Sequence, residues 1–363
     1  MKFTINTEKF KEMVSRAIRG SGNNKLIPIT SLMAIKVTKG LITLVTTDAT
    51  NYLYIRENTN VVGDEDFYAV VDADTMYKLV SKMTCEKINL EISKGVLNVT
   101  GNGSYKIELP LDEDGEAIKY PDPYFEYMNL EDMRPISRAT VQVILETLKS
   151  SLSTTLDIPC YTAYYAGDKV VATDTYKIAN MDVAMFDEPK LISSQLMDLL
   201  SVMTVEKIGF TQLDNTLIFT SDDCVIVGKT MEGLDEFAIE PITELVQTKF
   251  DHFCAIPKSA LMQTLDRLML FVGPYDKNEV NLTFTKQGLQ ISSKEANGIE
   301  IISYVASENS IDFTCSIDIQ MLMQEIKAVK TDLINMYYGD DSALKIVDGN
   351  ITIIIAFLED EEV

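Results

Sequence analysis

The chain has 363 residues, of which 46% are hydrophobic and 24% charged, the make-up of a soluble globular protein long enough to bury several cores. Its longest strongly apolar run, ITIIIAFL near the C-terminus, falls far short of the roughly 20 residues that span a bilayer, and MKFTINTEKF has no apolar signal core, so a cytoplasmic protein without membrane partners is expected. A formal net charge of −23 argues against a generic nucleic-acid binder, because affinity for a phosphate backbone comes mostly from Lys and Arg.

The first element is a short strand, FTIN, followed by a helix over TEKFKEMVSRAIRG. Thr7 stands as its candidate cap, and Phe10, Met13, Val14, Ala17 and Ile18 form one apolar stripe at i, i+3, i+4, i+7 and i+8. SLMAIKVTKGLITLVTTDATNYLYIRE then alternates apolar and polar residues around a Lys39-Gly40 turn, which predicts consecutive antiparallel strands. The same order restarts at FYAVVDADTM, with Met76, Leu79, Val80 and Met83 as the helix stripe and Lys94-Gly95 as the turn. It returns from Pro189, with Leu196, Leu199, Leu200 and Met203 and a corner at Leu213-Asp214-Asn215, and again from Asp312, with Ile319, Leu322, Met323 and Ile326 and a corner at Asp348-Gly349-Asn350.

A Thr-Asp corner between alternating runs, VVATDTYKIANM at 170–181, has two candidate counterparts: LVTTDATNYLYI around Asp48 and LQISSKEANGIEII around Glu295. The spacings are 126 and 121 residues, which suggests a unit repeated three times. The expected fold is α+β, with domains at 1–121, 122–247 and 248–363, each made of two strand-helix-strand-strand-strand units. Linkers are expected at IKYPDPYFEY, where two prolines interrupt the pattern, and near ELVQTKFDHF.

Catalytic signatures are missing, so an enzyme is not expected. The only histidine, His252, falls in the second expected linker, which gives little support to His-based acid-base chemistry or a His-rich metal site. The five cysteines (Cys85, Cys160, Cys224, Cys254 and Cys315) are scattered and form no Cys-x-x-Cys pair, and buried free thiols are the expected reading. Gly101 and Gly103 lack the rest of a phosphate-binding fingerprint, DEDGE at 112–116 reads as solvated loop charge, and the 17 methionines read as core filler. No cofactor or metal is expected.

This organisation resembles the bacterial-type DNA polymerase III beta subunit, the DNA sliding clamp. The resemblance is carried by the opening MKFT, the LIPI run at 26–29, the corner Ala172-Thr173-Asp174 and the late helix with Gln263 and Arg267, and it extends over all three repeats. It implies a head-to-tail homodimer of six domains closed into a ring, with inner helices, outer antiparallel sheets and a hole through which duplex DNA passes, bound independently of sequence. Such a ring tethers a replicative DNA polymerase and is placed on DNA by a clamp loader.

A ring turns the net charge into a test, since only the surface facing phosphates must be positive. The six helical segments sum to about +4 and the rest of the chain to about −27. Lys9, Arg16 and Arg19 lie opposite the first helix's apolar stripe, Lys78 and Lys82 opposite the second's, and Arg267 opposite Leu261, Leu265 and Leu268. With Arg138, Lys149 and Lys327 they are candidate phosphate contacts. An arginine of the family stands here as Asn24 and Lys25, and a tyrosine pair as Cys160 and Tyr161; Lys25 and Tyr161 complete the DNA-facing candidates.

The resemblance further implies a pocket for short hydrophobic motifs of partner proteins. The family's Thr-Asp-Gly-His-Arg-Leu stands here as Thr173, Asp174, Thr175, Tyr176, Lys177 and Ile178, and its C-terminal Met-Pro-Met-Arg-Leu as Ile355, Ala356, Phe357 and Leu358, followed by EDEEV. Tyr105 and Ile107, with Leu270 and Phe271, match the family's subunit contact in kind. Three readings follow: a processivity ring, a clamp-like partner-binding decoy or regulator that does not encircle DNA, and, least supported, an enzyme on the same scaffold.

Overall fold

The computed structural model describes residues 1–58, 62–63, 66–124, 133–273, 278–306, 312–339 and 342–358. The chain divides into two compact units, Met1–Val141 with Gln195–Thr230, and Gln142–Ser194 with Met231–Val363.

In the first unit, helix α1 (Thr7–Ala17) buries Phe10, Met13, Val14 and Ala17, as its stripe requires. Its cap is Asn6, not Thr7: the Asn6 side chain accepts from Lys9 N at 3.2 Å while Thr7 is buried as the first helical residue. Helix α2 (Ala73–Ser81) starts at Asp72, which accepts from Thr75 N at 2.7 Å. The turns Lys39-Gly40 (φ 50° and 83°) and Lys94-Gly95 (φ 51° and 76°) both take the left-handed pair of conformations that a two-residue hairpin demands. Phe3 packs edge-on against Phe67 at 4.7 Å and against Phe10 at 6.5 Å, at the centre of the core.

Each half-unit hands its first strand to its neighbour. Lys2–Asn6 pairs with Lys87–Ser93 of the second half-unit, and Asp66–Asp72 of the second pairs with Leu32–Thr38 of the first. A five-stranded sheet results, in the order 62–63, 2–6, 87–93, 96–100, 104–108. The other sheet has eight strands, because Cys224–Lys229 adds antiparallel to Tyr52–Asn58, with Cys224 opposite Ile55 and Val227 opposite Tyr52. At this joint Arg16 Nη1 donates to Asp223 Oδ2 at 2.6 Å and Arg56 N donates to Asp223 O at 2.8 Å. The expected linker also packs here: Tyr120 is buried with its hydroxyl on Leu32 O at 3.2 Å, and Asp122 accepts from Tyr54 OH at 2.9 Å and pairs with Lys36. Residues 125–127 of that stretch lie outside the described residues.

The second unit repeats the exchange. Lys190–Ser193 pairs with Ala163–Ala166, His252–Pro257 with Leu333–Tyr338, and Phe313–Asp318 with Glu279–Thr285. Its nine-stranded sheet is again two half-sheets joined at an edge, Lys177–Met181 with Ile351–Ala356, and a four-stranded sheet runs 299–302, 288–293, 279–285, 313–318. Helices α3 (Arg138–Thr147) and α4 (Ser194–Leu200) each begin in one unit and end in the other. Between them and helices α6 (Lys258–Leu268) and α7 (Ile319–Ala328) lies helix α5 (Ile239–Gln247), whose last turn runs into the stretch expected as a second linker. His252 is not a linker residue but a buried strand residue, its ring 5.4 Å from Tyr338. Four of the five cysteines are buried and Cys85 is half-buried, all as free thiols. Among the described residues no helix is long and apolar enough to cross a membrane.

The Arg16–Asp223 bond gives a pH-dependent prediction. Burial opposes ionisation of Asp223, yet hydrogen bonds from Arg16 and Ser221 outweigh it and hold the carboxyl below its ordinary value. A carboxyl whose folded pKa is depressed stabilises the fold above its unfolded pKa of about 3.9, and that contribution is lost as pH falls through the folded value. Asp223→Asn should therefore cost about 1–3 kcal/mol in urea unfolding at pH 7, and the difference from the parent should fade below about pH 3.5.

Candidate functional site

The Thr-Asp corner is built twice with the same hydrogen bonds. Thr173 Oγ1 donates to Lys177 O at 2.8 Å, and Asp174 Oδ1 accepts from Tyr176 N at 3.0 Å and Lys177 N at 2.9 Å. At the first corner Thr47 Oγ1 donates to Asn51 O at 2.6 Å, and Asp48 Oδ1 accepts from Thr50 N at 2.9 Å and Asn51 N at 2.7 Å. The third residue is left-handed in both, Thr175 at φ 81° and Ala49 at φ 84°. The Glu295 corner departs from the other two: there Gly298 N bonds Ser293 Oγ at 3.1 Å and Ala296 N bonds Ser293 O at 2.8 Å, while Glu295 Oε2 accepts from the Asn297 side chain at 3.2 Å and not from backbone amides. A loop beside each true corner also recurs. Pro28–Ser31 and Pro159–Thr162 are both short 3₁₀ turns, with Gly22 N on Thr30 O at 2.8 Å and Ser153 N on Tyr161 O at 2.9 Å.

The two corners differ at their last residue. Asn51 is buried and bonds locally, Nδ2 donating to Asp48 Oδ2 at 2.8 Å while Oδ1 is buried without a hydrogen-bond partner among the described residues. Lys177 is also buried, but its ammonium reaches three acceptors on other elements: Ser150 O, Gln324 Oε1 at 3.1 Å and Glu325 Oε1 at 3.1 Å. Glu325, on α7, is fully buried. Burial pushes its carboxyl above the ordinary value, against the opposing pull of Lys177. The Ser150 and Ser151 hydroxyls lie near enough to favour its charge, but neither meets Oε2 in hydrogen-bond geometry.

This pair ties the corner to α7 and closes one side of a cleft of about 510 Å³, a size within the range of ligand sites. Thr175, Tyr176 and Lys177 line it, as expected, together with the loop around Ser153, Asp157, Ile158 and Tyr161 and the start of α7 at Asp318, Gln320 and Met321. The remaining expected pocket residues go elsewhere. Thr173 and Ile355 are buried in the sheet, and Ile178 belongs to one apolar cluster with Ile354, Ala343, Phe237 and Ile242 of α5. Ala356 N donates to Tyr176 O at 2.8 Å, Phe357 packs 6.0 Å from Phe313, and Leu358 N donates to Ser316 O at 2.9 Å. Sequence reasoning missed Asp157, Ile158 and the α7 wall. The signal for the loop was present, because Ile158-Pro159 repeats the Ile27-Pro28 pair.

The candidate DNA-facing side chains fall into four groups. Arg19, Lys25, Lys82 and Lys327 are exposed and make no ion pair among the described residues. Lys9 pairs with Glu57 at 2.9 Å, Lys78 with Asp74, and Arg267 forks onto Glu300 at 2.7 and 2.5 Å, all on half-exposed side chains. Arg138 is half-buried and reaches Thr204 O at 3.5 Å, while Lys149 is exposed on a 3₁₀ turn. Two are not solvent-facing in the way their position suggested: Arg16 is largely covered at Asp223, and the Tyr161 ring stands edge-on to Phe237 at 5.2 Å. Of the expected subunit-contact residues, Tyr105, Leu270 and Phe271 are exposed, whereas Ile107 is buried.

Comparison with known proteins agrees with this architecture. Residues 1–117 match the family model of the DNA polymerase III beta subunit, N-terminal domain. The whole chain has the fold of solved clamp structures: the beta subunit of DNA polymerase of Streptococcus pyogenes (TM-score 0.85, 17% identity, 99% of this chain and 100% of that one), the beta subunit of Thermotoga maritima (0.84, 15%, 99% and 99%) and the sliding clamp of Bacillus subtilis (0.83, 16%, 99% and 99%). A sequence comparison with curated proteins matches none.

The buried pair should behave asymmetrically on mutation. Glu325→Ala leaves the buried ammonium with only the more distant Asp174 carboxylate at 3.9 Å and should cost about 3 kcal/mol, whereas the double change Lys177→Met with Glu325→Leu should recover most of that loss. Urea unfolding of the single and double variants reads the difference directly.

Proposed function

We propose that the chain is a DNA polymerase processivity factor, a clamp of three domains at 1–121, 122–247 and 248–363, two copies of which close head to tail around duplex DNA. The observation that carries this reading is the state of the sheet edges. In each half-unit the last strand of the meander is the one that meets another half-unit: Cys224–Lys229 joins Tyr52–Asn58, and Lys177–Met181 joins Ile351–Ala356. Two such strands keep an open side, Ser104–Glu108 at the end of one sheet and Ile299–Ile302 at the end of another. Both internal joints pair a first-half strand with a second-half strand, and the two open strands are one of each kind. An antiparallel joint between Ser104–Glu108 of one copy and Ile299–Ile302 of the next therefore repeats the internal rule.

The side chains at these edges fit burial. Tyr105 is 39% exposed, Ile299 53%, Ile301 61%, Leu270 81% and Phe271 52%, an apolar set that open edge strands do not keep in solution without a partner. The contact is heterologous and closes when the rotation per copy completes a circle. Inside the ring Arg19, Lys25, Lys82 and Lys327 supply loose, sequence-blind phosphate contacts, and the half-exposed pairs at Lys9, Lys78 and Arg267 exchange readily because surface ion pairs are worth at most about 1 kcal/mol. Polymerase and loader dock through short segments at the Thr173–Ile178 corner. The partner-binding decoy that leaves DNA alone is the second reading, favoured by one observation: Arg16 and several other candidate cations are already matched by carboxylates of the same chain.

Two measurements test this. Leu270→Asp with Phe271→Asp should convert a dimer into a monomer by light scattering without lowering the melting temperature of the protomer. On nicked circular DNA the parent protein should be retained and then lost when the circle is cut; a dimer retained on neither form would replace the clamp with the decoy.

A further inference from the structure

The cleft beside Lys177 presents its occupant with acceptors and no cation. An ammonium has three N–H donors, and those of Lys177 are taken by Ser150 O, Gln324 and Glu325. Its side chain is only 4% exposed and its ammonium also stands 3.9 Å from Asp174 Oδ2, so the one basic residue lining the cleft has no donor left for an occupant. Three carboxylates line the same space: Asp157, Asp174 and Asp318. Asp174 and Asp318 each use Oδ1 on two backbone N–H groups, and Asp157 has no partner among the described residues. Between them stand apolar surfaces, Ile158, Tyr161, Tyr176 and Met321, with Tyr176 63% exposed.

A bound metal ion does not explain the acidity, because among the described residues no three acidic, His or Cys groups stand close enough to hold one. The chain's own C-terminal run, EDEEV, carries the wrong charge to fill the cleft. We propose that this cleft selects protein segments in which an apolar anchor is flanked by Lys or Arg, with Glu325 setting that preference by sequestering Lys177. The inference rests on the docking reading of the same cleft given above. Apolar anchors supply contact area on Ile158, Tyr176 and Met321, and the flanking cations meet the carboxylates at the rim, where complementarity sets specificity more than affinity.

The probes are two fluorescently labelled peptides of about nine residues sharing a Leu-Leu-Phe core, one flanked by lysines and one by glutamates, titrated by anisotropy at low salt. The lysine peptide should bind the parent protein at least about tenfold more tightly, and the preference should shrink as ionic strength is raised. In the triple variant Asp157→Asn, Asp174→Asn, Asp318→Asn the amide oxygens can keep the turn and cap hydrogen bonds while the charge is removed. That variant should melt near the parent and lose the preference; Asp157→Asn alone, at an exposed position outside those bonds, should lose part of it. A preference that survives in the triple variant would come from the whole chain's charge and overturns the proposal. Equal binding of both peptides overturns it while leaving the docking reading standing, and binding of neither removes both.

Discussion

Every strand at the edge of a sheet carries a row of backbone N–H and C=O groups that must find a partner, meet water or be covered. That constraint organises this protein. A strand-helix-strand-strand-strand unit on its own is a small sheet with two open edges and one apolar face. Exchange of first strands, Lys2–Asn6 for Asp66–Asp72 in the first pair and His252–Pro257 for Phe313–Asp318 in the last, fuses two units so that neither sheet is complete without the other. The joints at 224–229 with 52–58 and at 177–181 with 351–356 then remove further edges. Among the sheet ends left after both steps are Ser104–Glu108 and Ile299–Ile302.

Joints also explain where the chemistry collects. Each of the two well-formed corners leads into a strand that joins a neighbouring half-sheet, so the side chain ending the turn is pressed against that neighbour. At the first joint Asn51 meets the backbone of Gly228 so closely that a Cβ there would lie 2.5 Å from Asn51 Oδ1, and only glycine fits. At the second, a lysine fills the equivalent place and must find acceptors in the interior, which Ser150, Gln324 and Glu325 provide. A buried ion pair contributes little net stability over a well-packed apolar pair, but it fixes one arrangement of the elements that carry it. Here those elements are the corner and α7, the two walls of the cleft.

Much of the fold was legible in the sequence, for reasons specific to the residues. Alternation of period two and Lys-Gly turns that accept positive φ located the hairpins at 39–40 and 94–95, and helix stripes such as Phe10–Ala17 and Ile319–Ile326 were buried as the spacing required. Long-range pairing was not legible. Arg16 reads as an exposed helix cation until Asp223, 207 positions away, is brought beside it. Helix α5 was not legible because Pro241 sits near its start and no side chain caps it, and its end runs into the stretch expected as a linker; its buried residue, Ile242, packs in a cluster with residues of the neighbouring strands. The Glu295 corner shared spacing with the other two but not the aspartate geometry, since a glutamate one methylene longer does not reach back to the same backbone amides.

The charge distribution follows from the same joints. A chain with 55 acidic and 32 basic residues can still show positive charge locally if its cations are kept apart from its carboxylates, and here many are not. Arg16 holds the first joint, Lys177 the second, and Lys36 pairs with Asp122 beneath the segment that follows the first strand-exchanged pair. Those cations are spent on architecture. Of the candidate DNA-facing cations, Arg19, Lys25, Lys82 and Lys327 are exposed and make no ion pair among the described residues. Their attraction for a polyanion is weak, non-directional and easily screened. A protein that had to grip DNA by affinity would be poorly served by this set. One that holds DNA by topology needs only a lining that neither repels nor arrests it, and a scarcity of free cations is compatible with that requirement.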